Sequence, residues 1–201
     1  MLDNADARQF LARFVDPIAK GLLKLGVSPD AMTWIGCLSS VAVSAFLLSQ
    51  GHFLVGGILM GLFTLTDLFD GTMARINGTA GPWGAFLDST LDRVSDAAIF
   101  IALFYYYVDR TDLNLLACVS AVVALTGALL TSYARAKAES LGARCTVGIA
   151  ERAERTTLLW IGFMFSGIFF DVMPFVLVTL AVLSAVTVVQ RLLFVRNQLA
   201  V

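Results

Sequence analysis

The stretch DLFDGTMARINGTAGPWGAFLDSTLD, Asp67 to Asp92, decides how this chain is read. It sets four aspartates into otherwise apolar surroundings. Asp67 and Asp70 are three residues apart, and Asp88 and Asp92 are four apart. On helices, each pair occupies one face. Between them lie Gly78, Gly81 and Pro82, which are turn residues. The spacing therefore predicts two antiparallel helices joined by a short loop, with the four carboxylates able to meet at one end.

The rest of the chain says which medium surrounds them. Of 201 residues, 58% are hydrophobic and 14% charged, and the mean hydropathy is +0.82. Soluble domains carry about one quarter charged residues, so an all-α integral membrane protein is expected. Uncharged runs predict spans near 31–49, 113–134 and 172–190. Three more, near 53–75, 84–108 and 156–170, are interrupted early by charge or are short. Giving the second and third of the six full length draws Asp67, Asp70, Asp88, Asp92 and Asp96 into the helices. At about 1.5 Å of rise per residue, Asp67 lies roughly 12 Å along the axis from Arg75.

Ahead of these spans, Phe10, Phe14, Ile18, Leu22 and Leu25 recur at helical steps among Arg8, Arg13, Lys20 and Lys24. Residues 1–27 thus read as an amphipathic juxtamembrane helix lying in the interface, alone or packed on the protein. Residues 28–201 read as a six-helix membrane domain, opened by Ser28 as N-cap and Pro29 in the first turn. Six spans put both termini on one side. All basic residues except Arg110 fall there, which makes that side cytoplasmic and the membrane the inner one. No removable signal peptide is visible. Cys37, Cys118 and Cys145 have no metal-ligand spacing, and His52 after Gly51 reads as a turn residue. The net charge of −1 names no partner, and nothing points to nucleic acid.

Four carboxylates in a partly dehydrated place repel one another and call for positive compensation. Clustered oxygen donors without nearby histidine or cysteine suit Mg²⁺, Mn²⁺ or Ca²⁺ over zinc. Gly71, Ala74 and Gly84 leave room for close helix packing or for a ligand, and Arg75 can meet a phosphate. Phosphate chemistry at a metal cluster follows. A cation-handling transporter is the rival of another class, although it would spread acids through the depth of the bundle.

Asp67-Leu-Phe-Asp70-Gly71-Thr-Met-Ala74-Arg75, eight residues, Gly84, three residues, Asp88, three residues and Asp92 resembles the CDP-alcohol phosphotransferase signature at every position. The resemblance implies transfer of a phosphatidyl group from CDP-diacylglycerol to an alcohol, with release of CMP. It implies two divalent cations, Mg²⁺ or Mn²⁺, on Asp67, Asp70, Asp88 and Asp92, with Asp92 also the general base. It places Gly71, Ala74 and Arg75 around the CDP moiety, with Pro29, Asp30 and Thr33 contacting the nucleotide. It also implies a homodimer.

The acceptor is read from SYARAKAESLGARCTVGIAERAERT, Ser132 to Thr156. Arg135, Lys137, Arg152 and Arg155, with Arg191 and Arg196 from the last span, form a group suited to an anion. Positive-inside decoration is the plainer reading of any one of them. The stretch is similar to the phosphatidylinositol phosphate synthases of actinobacteria, which implies inositol 1-phosphate as acceptor. Phosphatidylglycerophosphate synthase, using glycerol 3-phosphate, is the alternative within the family.

Overall fold

The computed structural model describes residues 4–64 and 66–200, with side chains from Arg13 onward. Among the described residues every regular element is helical: α1 (Asn4–Lys24), α2 (Pro29–Phe46), α3 (Phe53–Thr64), α4 (Thr66–Asn77), α5 (Pro82–Asp109), α6 (Leu115–Ser140), α7 (Arg152–Ile168) and α8 (Met173–Leu199), with a short 3-10 turn at Leu48–Gln50. Among the described residues, four segments are long and apolar enough to cross a membrane, namely Pro29–Gln50, Phe53–Asn77, Leu115–Ser140 and Met173–Leu199. The 28-residue α5 has ample length, but it carries Asp88, Asp92, Arg93 and Asp96 within its first fifteen residues. The 17-residue α7 is the shortest of the expected crossings. Large apolar side chains such as Leu116, Val119, Phe175, Val182 and Val189 remain exposed, which suits a hydrocarbon solvent.

The helix starts follow from local chemistry. Ser28 Oγ accepts from Ala31 N–H at 3.1 Å and caps α2. Asn114 does the same for α6 through Ala117 N–H, also at 3.1 Å. Helix α4 stops where Gly78 takes φ +68°. There the Thr79 N–H donates back to Ala74 O at 2.9 Å, a turn that glycine enters without a Cβ penalty. Pro82 then opens α5, its fixed φ suited to the first helical position.

The chain divides into two compact units. One comprises the segments up to Val41 and Leu59–Ser95. Here α1 packs on α4, and Ala19, Met32 and Met73 form a buried cluster with Leu22, Leu23, Val27 and Phe69 against it. A second cluster joins Cys37 of α2 to Leu87 and Leu91 of α5. On α1, Ala19 and Val15 turn inward, while Phe14 and Ile18, and Leu25 just after the helix, stay exposed. Arg8 and Phe10 lie outside the residues whose side chains are described.

The other unit comprises Ala42–Ile58 and Asp96–Val201. Its main pairing is α6 on α8. Gly127 allows it, since a Cβ there would stand 2.6 Å from Ser184 Cβ. Such small-residue contacts let helices approach where lipid supplies no hydrophobic drive. Tyr107 OH donates to Asp171 Oδ2 at 2.6 Å, and Asp171 Oδ1 accepts from Met173 N–H at 2.9 Å. The α6–α7 connection, Leu141 to Glu151, is irregular but tied down, as described below.

Candidate active site

In the first unit the ends of α2, α4 and α5 enclose a cleft of about 380 Å³. Eight of the expected metal- and CDP-binding residues line it: Pro29, Asp30, Thr33, Asp70, Gly71, Ala74, Arg75 and Asp88. Gly84 lines it too, and no atom lies within 4 Å of where a Cβ would stand there. Gly71 meets only Arg75 Nη1, at 3.8 Å. The space beside these glycines is therefore open to the cleft and is not a helix–helix contact.

Asp70 is the buried acid, 8% exposed. Its Oδ2 accepts from Thr33 Oγ1 at 2.8 Å and its Oδ1 from Gly71 N–H at 2.5 Å. Asp67, Asp88 and Asp92 are half-buried, and Asp92 pairs with Arg93 Nη1 at 3.5 Å. Arg93 in turn donates to Ser89 O one turn earlier. Asp67 and Asp92 are not part of the cleft wall. Among the described residues no three carboxylate, histidine or cysteine side chains are gathered as a metal-ligand group. The donor chemistry nonetheless fits a hard divalent cation. Asp70 and Asp88 face one cleft, their oxygens are the right kind, and each has a second carboxylate three or four residues along its own helix.

Two features of the cleft were not legible beforehand. Trp83, second residue of α5, donates its indole N–H to Asp30 Oδ2 at 2.9 Å and forms part of the wall. Thr79, Ala80, Gly81 and Ala85 complete the wall. The aromatic directly after Pro82 was the only sequence signal for the first.

The basic residues belong to the second unit and divide into two groups. Arg135, Lys137 and Arg196 are exposed, and Arg135 Nε is engaged by Glu139 Oε1 at 2.9 Å. Arg155 and Arg191 are each only 3% exposed. Arg155 donates to Ala150 O at 3.1 Å and to Asp96 Oδ2 at 3.3 Å. Arg152 Nε stands 3.9 Å from the other oxygen of Asp96. Arg191 donates to Thr131 O at 2.7 Å, to Val147 O at 2.9 Å and to Glu151 Oε1 at 3.0 Å. The structure thus brings Arg152 and Arg155 together on Asp96. It commits Nε, Nη1 and Nη2 of Arg191 to holding the α6–α7 connection and α6 to α8.

Residues 26–196 match the family described as CDP-alcohol phosphatidyltransferase. A phosphatidylinositol phosphate synthase from Streptomyces avermitilis is 40% identical over 205 residues, covering 98% of this chain and 84% of that protein. The crystal structure of Mycobacterium tuberculosis phosphatidylinositol phosphate synthase with CDP-DAG bound is similar at a TM-score of 0.87 and 35% identity, covering 92% of this chain and 94% of that one. The same Mycobacterium enzyme in complex with manganese and citrate is similar at a TM-score of 0.84 and 36% identity, over 89% of this chain and 87% of that one.

Proposed function

Because the chain belongs to the CDP-alcohol phosphatidyltransferase family, we propose that it transfers the phosphatidyl group of CDP-diacylglycerol to inositol 1-phosphate, giving phosphatidylinositol phosphate and CMP. Family membership decides between enzyme and cation transporter in favour of the enzyme. The observation that carries the finer reading is the cleft. It joins the two carboxylates Asp70 and Asp88 to Arg75 and to open space at Gly84, as a pyrophosphate and its counter-charges require.

In this reading Asp67, Asp70, Asp88 and Asp92 hold two divalent cations, Mg²⁺ or Mn²⁺. Bound there, the cations neutralise the pyrophosphate and stabilise charge on the leaving phosphate. Thr33 and the Gly71 N–H keep Asp70 turned into the cleft. Pro29, Asp30, Thr33, Gly71, Ala74 and Arg75 surround the CDP moiety. Asp92 accepts the proton of the acceptor hydroxyl as its oxygen bonds to the phosphatidyl phosphorus and the bond to CMP breaks. Arg135, Lys137, Arg152, Arg155, Arg191 and Arg196 supply the acceptor phosphate site, with Arg152 the more accessible member of the Asp96 pair.

Six spans, 28–201 as the membrane domain, α1 in the interface, a cytoplasmic active site and a homodimer complete the proposal. The similarity to phosphatidylinositol phosphate synthases favours inositol 1-phosphate over glycerol 3-phosphate. The test is CMP release by the purified protein with CDP-diacylglycerol and Mg²⁺ or Mn²⁺. Inositol 1-phosphate, glycerol 3-phosphate, free inositol and serine are compared, and the lipid products are identified by mass. Preference for glycerol 3-phosphate would replace the acceptor and leave the reaction class intact.

A further inference from the structure

Asp96 lies outside the aspartate signature, yet it is the residue on which two arginines converge. Its carboxylate is 13% exposed. One oxygen pairs with Arg155 Nη2 at 3.3 Å, and the other faces Arg152 Nε at 3.9 Å. The two arginines are three residues apart in the first turn of α7. They differ in exposure: the Arg155 side chain is 4% exposed and that of Arg152 is 36% exposed.

A guanidinium as buried as that of Arg155 is costly unless its charge is met, and Asp96 together with Ala150 O meets it. The first turn of α7 is therefore pinned at Arg155. One helical turn fixes where the neighbouring Arg152 can reach. The second oxygen of Asp96 then limits its rotamers, which spares part of the ordering entropy a long side chain would lose on meeting an anion. Of the two guanidinium groups, that of Arg152 is the one that reaches solvent.

We propose that Asp96 is the positioning residue of the acceptor site: by neutralising buried Arg155 and aligning Arg152, it presents the Arg152 guanidinium to the phosphate of the acceptor alcohol. The inference rests on the acceptor reading above. Asp96 touches neither substrate; it acts through Arg152.

The test is a double-mutant cycle on the full-length enzyme in detergent, with inositol 1-phosphate and glycerol 3-phosphate each assayed. Asp96→Asn raises the acceptor KM roughly tenfold, the scale of one lost charge-assisted contact, while the KM for CDP-diacylglycerol stays within about twofold. Asp96→Glu recovers part of the loss. With Arg152→Gln in place, Asp96→Asn adds nothing further, because its effect already travels through that arginine. If Asp96→Asn does not accumulate in membranes, the cycle is run on Asp96→Glu. Equal rises in both KM values, or fully additive effects in the cycle, would overturn the positioning role. A wild-type enzyme that turns over free alcohols but neither phosphorylated acceptor would remove the acceptor reading and this inference with it. Turnover of either phosphorylated acceptor with an unchanged KM in the Asp96 variants would remove the inference alone.

Discussion

Thr33 and Asp70 are joined by a 2.8 Å hydrogen bond that spans 37 positions of the chain. It ties the first turns of α2 to the aspartate helix and orients the most buried carboxylate of the cleft. A hydrogen bond to a charged group contributes about 1.5–3 kcal/mol. Thr33→Val keeps the shape and removes the donor. We expect kcat/KM for CDP-diacylglycerol to fall about tenfold or more, with the acceptor KM little changed. Steady-state assays varying each substrate in turn check this.

Asp92→Asn keeps the size of the side chain and removes its basicity. General-base catalysis contributes about 10²–10⁴-fold, and turnover is expected to drop by that order. Folding and much of the CDP-lipid binding should persist. Lipid binding and CMP release measured on the same preparation separate the two, and near-normal turnover would take Asp92 out of the base role.

Chelation should stop CMP release completely, and added Mg²⁺ or Mn²⁺ should restore it. Carboxylate oxygens select hard divalent ions, so Na⁺ or K⁺ at matched ionic strength should not substitute. Titrating each ion back into the chelated enzyme gives the check. Asp70→Asn should shift the half-activating Mn²⁺ concentration upward, whereas Arg135→Gln should leave it in place.

Arg191→Met removes three hydrogen bonds donated by a buried guanidinium and leaves Glu151 and two backbone carbonyls without that partner. Breaking a buried charged contact on one side costs about 3–5 kcal/mol. The thermal midpoint in detergent should fall markedly. Protease cleavage should move to the 141–151 connection before the helices are cut. Unchanged cleavage there would mean that Arg191 does not hold the loop.

The aspartate signature was legible because its information is local. Steps of three and four place side chains on a face whatever else the protein does, and Gly78 and Pro82 mark the turn between the helices. The Ser28 cap of α2 was legible for the same reason. What sequence could not divide was the basic set. Arg135, Arg155 and Arg191 look alike in a string, yet one is exposed and pairs locally with Glu139 while two are buried and bonded across 59 and 60 positions. Burial of a cation depends on which distant oxygens face it, and spacing carries no record of that. The Trp83–Asp30 bond, across 53 positions, was hidden for the same reason.

The α6–α7 connection is fastened by its peptide groups, beside the buried side chains of Ala143 and Cys145 and the Glu151–Arg191 pair. Val147 O and Ala150 O accept from arginines, Ala150 N–H donates to Thr187 Oγ1 at 3.1 Å, and the Arg144 peptide exchanges hydrogen bonds with the Gln198 amide at 3.0 and 2.7 Å. Gly142, at φ +80°, and Gly148, where φ is +146° and a Cβ would stand 2.6 Å from Thr187 Cγ2, are the positions where the backbone itself demands glycine. A segment anchored through its main chain behaves like a cassette in a fixed frame. Thr146 and Ile149 can be exchanged for other side chains without touching any of these fastenings. Libraries confined to those two exposed positions therefore vary the surface of the connection while its fastenings stay in place.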